Sequence, residues 1–219
     1  MALVPQTATL GWMPHLALVP AIEHEQRVAE SRFSARQQEV LDVVEAVFLR
    51  DGLAPVRIGR LAAEARCSRR TLYELAAGKE DLFLVVLDRF MRRIARSGRD
   101  AIAHERDPVR RIVAMGTAAA EGFGALTPAF IRAVEEYPPA RRRFDEHIAA
   151  ARSTLEALID DAIEEGSFRP LDASTAAEAV LVLVLHFVDS EHARSTGVSP
   201  AAALELVFDV FVAGAEARP

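Results

Sequence analysis

The stretch that decides the fold is residues 57–82, which read RIGRLAAEARCSRRTLYELAAGKEDL. Its first half predicts a helix of about two turns, because apolar residues recur at the i, i+3, i+4 and i+7 spacing of one helix face. Those residues are Ile58, Leu61, Ala62 and Ala65. The chain then breaks at Arg66-Cys67, and Ser68 is a good N-cap for a second helix, with its hydroxyl placed to accept from the backbone N–H of Thr71. Two short helices joined by a tight turn are therefore expected.

The second helix has the residue types that bind nucleic acid. Leu72 and Leu75 are expected to face inward, which leaves the arginines at 69 and 70 and the residues Tyr73 and Glu74 on the outer side. A recognition helix docks in the DNA major groove by its N-terminal residues, and arginine is the usual bidentate partner of guanine, worth roughly 1–3 kcal/mol of discrimination. Lys79 begins the next helix, where a cation and the helix dipole can share a phosphate.

The sequence of this segment resembles a known family. Leu61-Ala62-x-x-Ala65-x-x-Ser68-x-x-Thr71-Leu72-Tyr73, followed by Lys79-Glu80-Asp81-Leu82, is similar to the DNA-binding domain of tetracycline-repressor-like (TetR) proteins. The resemblance covers roughly residues 34–96 and includes a preceding helix over 35–50, with Gly52 just past its end. It implies an all-helical cytoplasmic homodimer that binds palindromic double-stranded DNA, mostly as a repressor, and releases it when a small molecule enters the C-terminal domain.

The same resemblance implies roles for individual residues. Thr71, Tyr73 and Lys79 would contact phosphates, whereas Arg69, Arg70 and Glu74 would meet bases or the neighbouring backbone. Three positions depart from the family pattern: Ala76 stands where phenylalanine is common, Val56-Arg57 replaces a capping threonine or serine, and Glu74 stands where histidine or tyrosine is common. The capping hydroxyl is lost at this position, but Arg57 offers a further phosphate ligand. The predicted DNA-binding residues are Arg57, Ser68, Arg69, Arg70, Thr71, Tyr73, Glu74 and Lys79.

Charge is distributed unevenly along the chain. The whole sequence of 219 residues has a formal net charge of −6, but residues 32–99 hold 14 basic and 9 acidic residues, a net charge of +5. Residues 100–219 hold 11 basic and 20 acidic residues, a net charge of −9. Positive charge is thus concentrated in the segment with the helix-turn-helix pattern, as expected for a domain that contacts phosphates.

The composition favours an all-α fold, since 51% of the residues are hydrophobic and no strand-like alternation is present. We predict an N-terminal three-helix helix-turn-helix DNA-binding domain and a C-terminal helical ligand-binding and dimerisation domain. The predicted boundaries are 1–31 for an N-terminal extension, 32–81 for the DNA-binding domain, 82–98 for a connecting helix that ends at Ser97-Gly98, and 99–219 for the regulatory and dimerisation domain. Further helices are predicted over 108–125, 128–136, 139–166, 173–194 and 200–217, four of them with proline in the first turn.

The last two predicted helices are apolar around most of their circumference; residues 180–188 read VLVLVLHFV. A helix that is apolar on all sides must be covered on all sides. Neither run reaches the ~20 apolar residues of a membrane span, so no membrane partner is expected. The pattern predicts a four-helix homodimer interface with two helices from each subunit, and the alternative is burial within one subunit. The expected interface residues are Val180, Val184, Leu204, Val207, Phe208 and Phe211.

A cavity for an unidentified small-molecule effector is implied within residues 108–190. Such sites are mostly apolar with one or two polar anchors. About a third of the candidate residues are expected to touch ligand and the others to fill the core. The candidates are Met115, Phe123, Phe130, Phe144, His147, Leu183, His186 and Phe187.

No catalytic or metal site is predicted, and no cofactor. His186 and His192 are six residues apart, which places them on different faces of a helix. The acidic pairs at 160–161 and 164–165 have no identifiable companion base or nucleophile, so an enzyme is not expected. The single cysteine, Cys67, excludes a disulfide within one chain and agrees with a reducing cytoplasm.

Three alternatives stay open at this point. Residues 1–31, which lack the basic region of a signal peptide, form either a disordered leader or an arm that enters a minor groove. The protein as a whole is either a sequence-specific regulator or a helical binding protein that keeps the helix-turn-helix only as a scaffold. A nonspecific, architectural DNA binder is the remaining reading, and it would show salt-sensitive binding without sequence preference.

Overall fold

The computed structural model describes residues 33–188, 195 and 197–217. Within these residues the chain forms nine α-helices and no strand, apart from one isolated bridge between Phe168 and Glu216. The all-α prediction is confirmed. The helices are α1 (Ala35–Asp51), α2 (Ile58–Glu64), α3 (Arg69–Leu75), α4 (Lys79–Ala103), α5 (Pro108–Phe123), α6 (Pro128–Glu136), α7 (Pro138–Glu164), α8 (Ala173–Val188) and α9 (Pro200–Ala215). The predicted extension 1–31 and the end of the helix predicted over 173–194 lie outside the described residues.

Local capping signals start most of these helices. Ser34 caps α1 in a capping box, in which its hydroxyl accepts from the Gln37 N–H and the Gln37 side chain accepts from the Ser34 N–H. Asp107, Thr127 and Ser199 each accept a backbone N–H at the start of α5, α6 and α9, and a proline follows each of them. Proline fits the first helical turn because its missing N–H is not needed there.

The head, defined here as α1 to α3, has its own hydrophobic core. The inner face of α1 consists of the predicted residues Val40, Leu41, Val44, Val47 and Phe48, all at most 1% exposed. Leu61 of α2 and Leu72 of α3 complete this core at 0% and 1% exposure. The three-helix head is thus held by apolar residues at helical spacing.

The connecting helix α4 is longer than predicted. Its expected end at Ser97-Gly98 is wrong, since the helix continues to Ala103 and is capped by His104. A glycine inside a helix costs roughly 1 kcal/mol relative to alanine, and no neighbour lies within 4 Å of the position of a Cβ at Gly98. Packing of α5 along α4 outweighs this local cost. The long α4 therefore belongs to both the head and the body, the latter defined here as α5 to α9.

A second connection joins the head directly to α6. The ring of Phe48 (α1) lies 5.3 Å from that of Phe83 (α4), which in turn lies 5.1 Å from Phe130 (α6). The Thr127 hydroxyl at the start of α6 donates to the Leu49 carbonyl near the end of α1. Movement of α6 would therefore be transmitted to α1 through packed rings and one hydrogen bond.

Ion pairs reinforce the contact between α1 and α4. Arg93 lies 2.5 Å from Glu45, a carboxylate on α1 that is only 7% exposed, and Arg89 lies 2.8 Å from Asp42. A buried carboxylate is stable in its charged form only when it is paired in this way. The head is consequently fixed to α4 by charge as well as by apolar packing.

On its body side, α4 pairs with α7. His147 Nε2 lies 3.1 Å from Asp88 Oδ1, and Arg143 and Arg92 lie 3.5 and 3.4 Å from the same carboxylate. Burial pushes the pKa of Asp88 upward, but the hydrogen bond from His147 and the two guanidinium groups outweigh burial, so the pKa is lowered. His147, a predicted ligand residue, thus positions α7 on α4.

The body is closed by helix packing and one part-buried ion pair. Arg111 of α5 and Asp161 of α7 lie 2.9 Å apart with side chains 12% and 11% exposed. Gly116 of α5 permits the ring of Phe208 from α9 to approach, since a Cβ there would stand 2.5 Å from the ring. In the part of the chain that the structure describes, no helix has the length and apolar character needed to cross a membrane.

Candidate nucleic-acid interface

The turn between α2 and α3 sets the geometry of the head's outer surface. Ser68 caps α3, and its hydroxyl accepts from the Thr71 N–H at 3.0 Å, as predicted. The chain reverses at Arg66, whose φ of 49° lies in the left-handed region, and the Arg36 guanidinium donates to the Arg66 carbonyl at 3.3 Å. Since few non-glycine residues adopt this conformation, the turn is held by its contacts.

Buried leucines fix which face of α3 is outward. Leu72 and Leu75 are 1% and 3% exposed, whereas Tyr73 is 54% exposed although it is a large aromatic residue. The Arg70 side chain is 89% exposed and points away from the head. Recognition helices use an outward face of this kind to enter the major groove.

Two arginines beside this face have no acidic neighbour. Among the described residues, no carboxylate forms an ion pair with Arg57 or Arg69. Arg57 is the N-cap residue of α2 and makes no side-chain cap. Arg69 extends over Gly59 in the first turn of α2, where an added Cβ would stand 2.9 Å from its Nη2. Both guanidinium groups thus remain available to an external anion.

The other predicted contact residues already have protein partners. The hydroxyls of Ser68 and Thr71 lie 2.9 Å apart, and Arg70 Nε lies 3.2 Å from Glu74 Oε1. Lys79 is predominantly structural here, because its Nζ donates to the Leu53 carbonyl at 3.1 Å and fixes the loop between α1 and α2. That loop leads to Arg57. Lys79 therefore helps to position the Arg57 guanidinium, in addition to carrying a positive charge itself.

Sequence reasoning did not anticipate a neutral cluster on the flank of the head. Arg50 and Arg60 both pair with Asp51, at 2.9 and 2.6 Å, and with Glu64, at 3.2 and 2.8 Å. The hydrogen bond from Arg50 is the main cause that holds the pKa of each carboxyl below its usual range. These arginines are neutralised within the protein, so the net positive charge lies at the α2–α3 end of the head.

Comparison with known proteins places the body in a family. The family model described as "Tetracyclin repressor-like, C-terminal domain" matches residues 128–208, from α6 into α9. The domain lies behind a helix-turn-helix head in the order expected from the sequence. Residues 128–208 are thus a tetracycline-repressor-like (TetR) C-terminal domain. Among proteins of curated function, none matches the chain significantly.

Solved structures, among them transcriptional regulators, share the fold of most of this chain. A TetR transcription regulator from Haloarcula marismortui has 21% sequence identity and a TM-score of 0.68, covering 84% of this chain and 100% of that one. A regulator from Saccharomonospora viridis in complex with choline has 20% identity and a TM-score of 0.69, covering 83% and 98%. AibR in complex with isovaleryl coenzyme A and operator DNA has 18% identity and a TM-score of 0.59, covering 83% and 98%.

The body contains a partly enclosed cavity of about 90 Å³ between α4, α6, α7 and α8. Its walls are mostly apolar and include the predicted residues Phe130 and Phe144, with Glu135 and Arg141 as the charged groups. The other six predicted ligand residues do not line it. Met115, Phe123, His147 and Phe187 pack or bond elsewhere, whereas Leu183 and His186 are exposed on the outer side of α8. Neither Leu183 nor His186 faces this cavity, and the ligand-binding residues stay a prediction.

The structure places the predicted dimer residues mostly inside one protomer, so the dimer interface stays a prediction. Five of them are at most 8% exposed within one protomer, because α8 and α9 pack them against the rest of the body, and Phe211 is half-buried against Phe168. The five are Val180, Val184, Leu204, Val207 and Phe208. The apolar residues left exposed on these helices form what we term the outer α8–α9 face: Val182 (55%), Leu183 (47%), Leu206 (61%) and Val210 (64%).

Proposed function

We propose that this protein is a TetR-family, sequence-specific transcriptional regulator that binds a palindromic operator in double-stranded DNA, as a repressor released by a small, largely apolar ligand. The observation that carries the proposal is the outward face of α3. It is held rigidly by Ser68 and two buried leucines, it exposes Arg70 and Tyr73, and it is flanked by Arg57 and Arg69, which lack acidic partners.

The proposed contacts follow from position and charge. Arg69, Arg70 and Glu74 would meet base edges from the N-terminal half and outer side of α3, where a recognition helix reaches the groove. Arg57, Thr71 and Tyr73 would contact phosphates, together with Ser68 and Lys79 at the two ends of the motif. Contacts of the second kind set register and affinity but carry no sequence information.

A second copy of the chain is the proposed partner of the outer α8–α9 face. Among the described residues, seven large hydrophobic side chains are exposed, and four of these seven form this face. A concentration of exposed apolar side chains on two packed helices is typical of an association site. A twofold axis through the face would pair α8 and α9 with their copies and present two recognition helices to half-sites one helical turn apart.

The proposed effector site is the cavity between α4, α6, α7 and α8. Phe130 lines this cavity and also contacts Phe83, which contacts Phe48 in the head. A ligand that displaces Phe130 would therefore shift α6 relative to α1. The protein would have one conformation that fits DNA well and one that fits DNA poorly. The ligand would act as an inducer only if it has the higher affinity for the second conformation.

Selection of bound duplexes from a random library tests the proposal. It is done at physiological salt with excess competitor DNA, using the full chain. We expect a palindrome with half-sites about 10 base pairs apart, and its loss when Arg57→Ala and Arg69→Ala are combined in a protein that is still folded. Salt-sensitive binding without a motif would instead support an architectural binder, and absence of binding would support a helix-turn-helix kept only as scaffold.

A further inference from the structure

A highly exposed charged group on α3 is bound to a charge of opposite sign. Arg70 Nε lies 3.2 Å from Glu74 Oε1, with the two side chains 89% and 55% exposed. The residues are four apart, so they lie on the same helix face, opposite the buried Leu72 and Leu75. The pair thus occupies the part of α3 that projects furthest from the head.

Helix stability does not account for this pair. An acidic residue stabilises a helix when it precedes its basic partner, and Arg70 precedes Glu74, which is the weaker order. Each charge also lies at the unfavourable end of the helix dipole, with the cation near the N-terminus and the carboxylate near the C-terminus. Exposed ion pairs contribute little in any case. The stability of α3 therefore does not explain why Arg70 and Glu74 occupy these two positions.

The atoms used by the pair leave the recognition edge of Arg70 open. Glu74 takes the Nε of the guanidinium, so the Nη1–Nη2 edge faces solvent with both donors in one plane. Arginine reads guanine through a two-donor edge directed at O6 and N7. A guanidinium whose orientation is already restrained loses less entropy on making that contact.

We propose that Arg70 and Glu74 act as one unit that reads a guanine in each operator half-site, with Arg70 contacting the base and Glu74 positioning it. The inference rests on the proposed function. Because the unit has no net charge, it adds base discrimination without adding phosphate attraction. Arg57, which has no acidic partner and is assigned to phosphate contact, would supply nonspecific attraction instead.

Substitutions of Arg70 and of Glu74 should have different effects on DNA binding. Arg70→Lys keeps the charge but lacks the planar fork, so preference for guanine at one position should fall by roughly 5- to 150-fold. Glu74→Met keeps the length of the side chain and removes both the carboxylate acceptor that restrains Arg70 and the negative charge. Discrimination at the same position should fall by about 5-fold or more, while affinity for unrelated DNA rises and its salt dependence steepens by about one counterion.

The experiment applies these variants to duplexes selected with the full-length wild-type protein, changing one base pair at a time and titrating by fluorescence anisotropy at several salt concentrations. Glu156→Met is the matched control. It removes the acid of another arginine-first i, i+4 pair, Arg152–Glu156 at 3.2 Å, which lies in the body, and it should leave both readouts unchanged. Circular dichroism confirms that each variant is folded.

The outcomes separate the inference from the function on which it rests. If the wild-type protein selects a palindrome but Glu74→Met discriminates as well as wild type at every position, the positioning role is wrong and the proposed function stands. A motif without a guanine whose preference depends on Arg70 overturns the base assignment. If the wild-type protein selects no motif, operator reading fails and the inference fails with it.

Discussion

Replacing Thr127 with valine should loosen the head from the body at a defined free-energy cost. The Thr127 hydroxyl makes two hydrogen bonds: it accepts from the Phe130 N–H at 3.2 Å as the N-cap of α6, and it donates to the Leu49 carbonyl at the end of α1. Valine has nearly the same shape but neither bond. The substitution therefore tests the hydroxyl and changes the packing little.

The magnitude follows from the two bonds. Loss of an N-cap costs about 1 kcal/mol, and a further neutral hydrogen bond contributes about 1 kcal/mol. Thr127→Val should thus lower the free energy of unfolding by about 2 kcal/mol, which for a chain of this size lowers Tm by about 4–8 °C. Urea unfolding followed by circular dichroism measures it. Amide exchange at Phe130 should also become faster, because its N–H loses its acceptor.

Two control variants sharpen the result. Thr127→Ser retains the hydroxyl and should cost much less than valine. Thr154→Val removes a hydroxyl that bonds only to the Ala150 carbonyl within α7, at 3.1 Å on an exposed surface, and should change stability by less than about 0.5 kcal/mol. Unfolding of Thr127→Val at the wild-type urea concentration, or an equal cost for Thr154→Val, would refute the role of Thr127 as a connection between α1 and α6.

Three further predictions concern packing, assembly and pH. Gly116→Ala places a Cβ 2.5 Å from the Phe208 ring and should lower the free energy of unfolding, measured in urea, by about 1–3 kcal/mol. The control Gly214→Ala, with no neighbour within 4 Å of the added Cβ, should not destabilise the protein. Equal effects of the two substitutions would show that the α5–α9 contact is loose. Combining Leu206→Glu with Val210→Glu should give a folded monomer by light scattering, and a persistent dimer would exclude the outer α8–α9 face. Asp88→Asn should destabilise the protein at pH 7, because a carboxyl with a lowered pKa contributes stability above its unfolded pKa of 3.8 and loses that contribution as pH falls through the folded pKa. The difference in unfolding free energy between wild type and Asp88→Asn should therefore shrink below about pH 4. A difference that stays constant with pH would show that the charge of Asp88 is unimportant.

The helix-turn-helix could be predicted from the sequence because its signals are local. Ser68 caps α3 by accepting a hydrogen bond from an N–H only three residues later in the chain. The spacing of Leu72 and Leu75 alone identifies the inward face of α3. Proline and a capping side chain fixed the start of α5, α6 and α9 in the same way. The end of α4 could not be read, since packing along α5 carries the helix past Gly98.

Contacts between distant segments explain the remaining differences. Lys79 bonds to a carbonyl 26 residues earlier in the chain, and no spacing rule indicates this. The sequence of α8 is apolar on every side, so it cannot tell the buried Val184 from the exposed Val182. The cavity is built from four helices, and of the predicted residues only Phe130 and Phe144 line it.

The central claim is that a dimer places two recognition helices in successive major grooves, and a distance between them tests it most directly. Cys67 is the single cysteine of the chain and lies in the turn before α3, so one spin label per subunit marks each helix. Burial raises the pKa of the Cys67 thiol, so labelling requires mildly alkaline pH, and the labelled protein is first shown to bind a selected duplex. Pulsed electron paramagnetic resonance on that complex should give one narrow distance of roughly 30–40 Å, matching half-sites one helical turn apart. Absence of dipolar coupling, or a broad distribution that the duplex leaves unchanged, would contradict the account.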